Sequence, residues 1–91
     1  METIRKAFVG RHSRNGDIYQ TRMSGDTLTI GLQAVGNNEF VHLANVGRTD
    51  KDRIEVAWQL EDLKGQTSDF ESDAVAVAAI KSAADNIDLD G

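Results

Sequence analysis

The sequence predicts an α+β fold, in which a mainly antiparallel five-stranded sheet in meander order carries one C-terminal helix on one face. Apolar residues alternate with polar ones in "TLTIGLQA", a pattern typical of a half-buried strand. Turn signals recur between such segments, and the alanine-rich stretch near the C-terminus has helical spacing. The 91 residues are predicted to form a single domain, residues 1–91.

The first three strands are predicted at about residues 4–13, 18–24 and 27–35. Two-residue turns at Asn15-Gly16 and at Gly25-Asp26 would connect them. The first turn pairs Phe8 with Met23 through the shared strand register and places His12 opposite Tyr19. The second pairs Met23 with Leu28, Thr21 with Ile30 and Tyr19 with Leu32, so both turns place the same apolar set on one face.

The N-terminal segment leaves one alternative open. Ile4, Ala7 and Phe8 also have helical spacing, with Gly10 as a possible helix C-cap. A strand is preferred because the turn at Asn15-Gly16 needs a partner strand.

Two further strands are predicted at about residues 40–46 and 54–60. If Asn37-Asn38 form the centre of a turn in "GNNE", Val41 opposes Ala34 and Leu43 opposes Leu32. The segment "IEVAWQL" then alternates apolar and polar residues as the fifth strand.

The helix is predicted at about residues 69–86. Ser68 and Glu71 have the spacing of a capping box. The helix dipole also favours acidic residues in the first turn of a helix. The A-V-A-V alternation could also be a strand, but alanine is a poor strand residue. A mobile acidic tail is expected at residues 87–91. The core is predicted to centre on Leu28, Ile30, Leu32, Trp58 and Val77.

Composition excludes several classes of chemistry. The chain has no cysteine, which excludes disulfides, thiolate metal ligands and cysteine nucleophiles. No apolar run approaches the roughly 18 residues of a membrane span, and "METIRKAFVG" lacks the apolar stretch of a signal peptide. A cytoplasmic protein without a cofactor and without membrane association is the expectation.

The C-terminal "NIDLDG" matches the first half of a calcium-binding loop, with oxygen side chains at Asn86, Asp88 and Asp90 before Gly91. The bidentate carboxylate at the twelfth loop position is missing, so no calcium site is predicted. Neither His12 nor His42 has the spacing of a zinc cluster. No serine lies in a nucleophile elbow and no phosphate loop is present, so a non-enzymatic protein is predicted.

The net charge of −5 is unevenly distributed. Residues 1–22 hold five basic side chains and two acidic ones, whereas residues 60–91 hold eight acidic ones and two lysines. The leading hypothesis is a small protein-binding module whose acidic C-terminal third engages a protein with a basic surface, such as one that handles nucleic acid. The residues of this predicted surface are Glu61, Asp62, Asp69, Glu71, Asp73, Asp85, Asp88 and Asp90. In size and acidity, though in no motif, the chain is similar to the small inhibitors that phages encode against bacterial defence machinery.

The same strand register predicts two features of the opposite sheet face. Arg5, Arg11 and Arg22 would form a basic stripe, but the negative net charge argues against direct nucleic-acid binding. An apolar patch around His42 suggests an alternative function, a structural subunit that forms a homo-oligomer, unless a strand is misplaced or loops cover the patch. The residues predicted for self-association are Val35, Phe40, His42 and Ala44.

Overall fold

The computed structural model describes residues 1–89, which form five strands and two helices. In chain order the elements are α1 (Glu2–Phe8), β1 (Ile18–Ser24), β2 (Thr27–Gln33), β3 (Phe40–Arg48), β4 (Ile54–Trp58), β5 (Thr67–Phe70) and α2 (Asp73–Asp85). The strands form one antiparallel sheet in the order β1-β2-β3-β4-β5, and both helices pack against it. The predicted α+β meander with a C-terminal helix on the sheet is confirmed.

The hairpin of β1 and β2 has the predicted register. Met23 pairs with Leu28, Thr21 with Ile30 and Tyr19 with Leu32. The chain reverses through Gly25, whose φ of 60° is the left-handed conformation that this short turn requires and that glycine adopts without a steric penalty.

The predicted first strand at residues 4–13 is wrong, because residues 2–8 form α1. Ile4 and Phe8 lie one helical turn apart, and both are fully buried in the core that α1 shares with α2 and β1. Phe8 therefore contacts the sheet from a helix and does not pair with Met23. The turn at Asn15-Gly16 closes only an isolated bridge between His12 and Ile18, one residue away from the predicted His12–Tyr19 pair.

The predicted pairing of β2 with β3 is also wrong, for two reasons. The connection is a four-residue loop, since the Ala34 N–H donates to the Glu39 carbonyl at 3.0 Å, and Leu32 then pairs with Val41. A β-bulge follows, because Gly31 pairs with His42 while Ile30 pairs with Ala44. Because Leu43 is an extra residue in β3, the strand residues that follow it point to the sheet face opposite to the predicted one.

The fifth strand of the sheet is β5, where the sequence predicted the start of the helix. Ser68 lies within β5 and its hydroxyl accepts a hydrogen bond from the Trp58 indole N–H at 3.0 Å. The helix cap is Ser72, whose side chain accepts from the Val75 N–H at 3.3 Å. The sheet therefore has five strands because it includes β5 and not the predicted strand at residues 4–13, and α2 begins at Asp73.

The residues after α2 are held against neighbouring loops as far as they are described. The Asn15 side-chain amide donates to the carbonyl of Ile87 at 2.6 Å, and that of Asn37 donates to the carbonyl of Leu89 at 3.1 Å. Ile87 and Leu89 also pack on the core. Residues 87–89 of the segment predicted as a mobile acidic tail, residues 87–91, therefore make contacts with the fold, while Asp90 and Gly91 lie outside the described residues.

The sheet has two unlike faces. We call core face the side that α1 and α2 cover and outer face the opposite side. The predicted core residues on the strands are buried, whereas Val77 is only half-buried. The stripe of α2 that is fully buried consists of Ala76, Ile80 and Ala84.

The docking of α2 gives the first prediction. Ile80→Ala removes a fully buried side chain and should lower the free energy of unfolding by about 2–5 kcal/mol. Val75→Ala on the same helix should change it by less than about 0.5 kcal/mol, because Val75 is 45% exposed. Urea denaturation of the two variants measures both values, and equal losses would contradict this placement of the helix.

Candidate functional site

The acidic residues predicted to bind a partner fall into two clusters at opposite ends of α2. Asp69, Glu71 and Asp73 lie where the helix begins, and Asp85 and Asp88 lie where it ends. The 13-residue helix separates the clusters by roughly 18 Å, at about 1.5 Å of rise per residue. The described residues of this predicted partner-binding set therefore lie in two separate groups.

The cluster at the start of α2 is partly neutralised inside the fold. The Arg48 guanidinium lies 3.1 Å from the Asp73 carboxylate, and that of Arg53 lies 3.5 Å from Asp69. The first pair connects β3 to the beginning of α2, and the second connects the β3–β4 turn to β5. Exposed ion pairs contribute about 0–1 kcal/mol each, but they leave less charge for a partner. Glu71 remains exposed just before the helix cap.

The cluster at the end of α2 includes Glu61 and Asp62, which come from the loop between β4 and β5. Both are exposed. Asp85 is half-buried and its carboxylate accepts from the Arg14 backbone N–H at 2.9 Å, so it anchors the loop before β1. Asp88 is exposed, and Asp90 lies outside the described residues.

Glu61 and Asp62 lie at an apolar groove of about 500 Å³. One wall comes from the last turn of α2 and the two residues that follow it, and the other from the β4–β5 loop and the start of β3. A volume of this size falls within the range of roughly 300–1,000 Å³ that is usual for ligand pockets. The groove is lined by Val41, Leu60, Glu61, Asp62, Leu63, Ala83, Asn86 and Ile87.

The β4–β5 loop forms its wall through two consecutive tight turns. The Leu63 N–H donates to the Leu60 carbonyl at 2.9 Å, and the Gln66 N–H donates to the Leu63 carbonyl at 2.9 Å. The turns bring the side chains of Leu60 and Leu63 to the same side, where both are half-buried against the core. The intervening acidic pair faces solvent. Leucines three residues apart on either side of two acids were the available sequence signal for this wall.

The outer face differs from its predicted character because of the bulge at Leu43. Ala44, predicted to lie in a self-association patch, is fully buried in the core, and so is Val46. Phe40 and Val35 are 51% and 63% exposed. His42 is half-buried, and its Nε2 lies 3.0 Å from the Asn45 side-chain oxygen. The predicted apolar patch is therefore reduced to a few residues among polar neighbours.

The Phe40 ring covers Gly31 on the outer face. A Cβ placed on Gly31 would overlap the ring, so glycine leaves the space that the aromatic side chain fills. Gln20, Arg22 and Gln33 border this aromatic contact. The predicted basic stripe is not formed, because Arg5 lies on α1 and pairs with Glu2 at 2.9 Å.

Tyr19 connects the core to the end of α2. Its ring contacts Phe8 edge-on at a centroid distance of 4.9 Å. Burial of the phenol, with the nearby Asp85 carboxylate as a smaller cause, raises the pKa of Tyr19 from 10.0 to about 12. The neutral phenol is thus the form that the fold accommodates.

Residues 1–89 contain neither a cluster of metal-binding side chains nor a membrane-spanning helix. No group of three or more His, Asp or Glu side chains within this range is arranged to hold a metal ion. Neither of its helices is long and apolar enough to cross a membrane. Comparison of the chain with protein families, with curated proteins and with solved structures found no match.

The pKa of Tyr19 predicts a specific pH dependence. Between about pH 10 and pH 12 the folded protein keeps a proton that the unfolded chain loses, so the free energy of unfolding should fall as pH rises through this range. Tyr19→Phe should remove this component of the fall. Urea denaturation at several pH values measures it.

The chain has one tyrosine, so the absorbance of the ionised phenol reports this residue directly. A titration midpoint at the ordinary value of 10.0 in the folded protein would contradict the assigned environment.

Proposed function

We propose that the protein is a non-enzymatic protein-binding module whose working surface is the acidic groove, defined here as the groove lined by Val41, Leu60, Leu63, Ala83 and Ile87 with Glu61 and Asp62 at its edge. The observation that carries the proposal is the combination of an open apolar groove with two exposed carboxylates on one of its walls. Such a site suits a segment that presents a large apolar side chain next to lysine or arginine.

The apolar part of the groove would supply affinity. Burying one leucine-sized or phenylalanine-sized side chain contributes about 1.5–3 kcal/mol, and anchors of this kind dominate many protein interfaces. The groove is already formed by half-buried side chains, so little ordering is required on this side of the interface.

The carboxylates would supply partner choice and speed. Charges at the edge of an interface mainly raise the association rate and exclude partners of the wrong sign. The net charge of −5 adds a long-range attraction to basic surfaces. The partner that fits is a protein with a basic surface, and an inhibitor that occupies a nucleic-acid-handling surface is one form of this function.

The alternative function is self-association through the outer face. It is supported by the exposure of Phe40 and Val35, which exceeds that of most apolar residues in the sheet. Light scattering on the wild type and on Phe40→Ser tests it: a dimer that Phe40→Ser dissociates would support this alternative, and a wild-type monomer would exclude it.

The acidic groove is tested by panning a random peptide library against the purified protein. The expected consensus is a large apolar residue flanked by lysine or arginine. Ala83→Leu should fill the groove and lower the affinity of selected peptides by roughly tenfold or more, the equivalent of about 1.4 kcal/mol. Ala78→Leu is the matched control, since Ala78 is exposed on the same helix.

Neutralising the two carboxylates at the edge of the groove should have a different effect from filling the groove. Glu61→Gln with Asp62→Asn should slow association and reduce its salt dependence, while Asp50→Asn with Glu71→Gln removes the same charge elsewhere and should have a smaller effect. A peptide consensus without basic residues, or binding that Ala83→Leu leaves intact, would refute the proposed site.

A further inference from the structure

The side chain of Asn15 binds the C-terminal end of α2 and the residues that follow it. Its amide nitrogen donates to the carbonyl of Ile87 at 2.6 Å and lies 3.4 Å from the carbonyl of Asp85. The neighbouring Arg14 N–H donates to the Asp85 carboxylate at 2.9 Å. An exposed loop more than 70 residues away in sequence thus fixes the position of Ile87, which lines the acidic groove.

The residue after Asn15 is a glycine. In an asparagine–glycine pair the backbone nitrogen of the glycine can attack the side-chain carbonyl carbon, because no Cβ hinders its approach. A carbon–nitrogen bond forms to give a five-membered succinimide, and the side-chain nitrogen leaves as ammonia. Water then opens the ring at either carbonyl, which yields aspartate or isoaspartate.

The folded structure opposes this reaction at two atoms. The Gly16 N–H, which must supply the attacking nitrogen, donates to the Ser13 carbonyl at 3.0 Å. The leaving amide nitrogen is held by Ile87. The reaction therefore requires both hydrogen bonds to open, and its rate would depend in part on how often residues 85–87 move away from the loop.

We propose that Asn15 is a site of spontaneous deamidation, and that its conversion irreversibly releases residues 85–87. An amide nitrogen donates hydrogen bonds, whereas a carboxylate only accepts them. The product would therefore place a negative charge against the carbonyl oxygens of Ile87 and Asp85, close to the Asp85 carboxylate. Both hydrogen bonds would be lost and replaced by repulsion.

The structure contains a built-in comparison. Asn37 holds Leu89 in the same way, with its amide 3.1 Å from the Leu89 carbonyl, but the residue after Asn37 is an asparagine, whose side chain hinders ring closure. Conversion at Asn15 would therefore release residues 85–87 and leave the contact at Leu89 in place. Weaker binding at the acidic groove would follow, and this last step alone rests on the proposed function.

The experiment ages the purified full chain in mildly alkaline buffer and locates the products by peptide mass mapping. The expected result is conversion at Asn15 while Asn37 is still intact. Ile87→Ala, which loosens the contact, should accelerate conversion at Asn15 and leave Asn37 unchanged. Loss of Asn37 before Asn15, or an unchanged rate in Ile87→Ala, would overturn the proposal.

The structural consequence is measured separately by hydrogen exchange. Asn15→Asp should reduce the protection of the Ile87 amide, which donates to the Ala84 carbonyl at 3.0 Å. Asn38→Asp, which adds the same charge in the exposed loop that contains Asn37, should not. Equal protection of the Ile87 amide in the two variants would show that Asn15 does not hold this segment. Because neither measurement uses a binding partner, failure here is distinguishable from failure of the proposed function.

Discussion

The packing of α2 against the core face is the contact on which the remainder of the structure depends. Ala76, Ile80 and Ala84 are fully buried along one stripe, and two of the three are alanines, so the helix backbone can lie close to the sheet. A chain of this length has apolar residues for one core only. Once α2 and the short α1 cover the core face, the outer face must be largely polar.

The same contact creates the acidic groove. The helix ends at Asp85, before it covers the apolar side chains at the start of β3 and in the β4–β5 loop. The residues that follow are turned back over the core and are held by asparagines from two separate loops. The proposed binding surface is therefore the part of the core that the helix is too short to close, and its shape depends on hydrogen bonds that lie outside it.

The parts of the fold that local patterns determine were predictable from the sequence. The β1–β2 register follows from a two-residue turn and from alternation, and the helix from its alanine-rich spacing. The β2–β3 pairing was not predictable, because neither the four-residue loop after Ala34 nor the bulge at Leu43 has a local sequence signal that separates it from a two-residue turn and regular alternation. Ser68 and Glu71 imitate a helix cap, yet the Trp58 indole and the β4 edge bind this segment as a strand. Tertiary contacts decided both cases.

The candidate site was likewise predictable only in part. Glu61 and Asp62 could be selected from charge alone, but the groove between them and the helix is assembled from three segments distant in sequence. No periodicity within one segment reveals such a site. The internal pairing of Asp69 and Asp73 was equally hidden, because their arginine partners come from the β3–β4 region.

The packing of α2 against the core face is tested most directly by nuclear Overhauser contacts between methyl groups in solution. The account predicts contacts from the methyls of Ala76, Ile80 and Ala84 to core-face methyls of β3 and β4, such as those of Val46 and Val56. It also predicts no contact between these helix methyls and the Phe40 ring on the outer face. Contacts of Ile80 with Phe40, or an absence of contacts with β3 and β4, would contradict it.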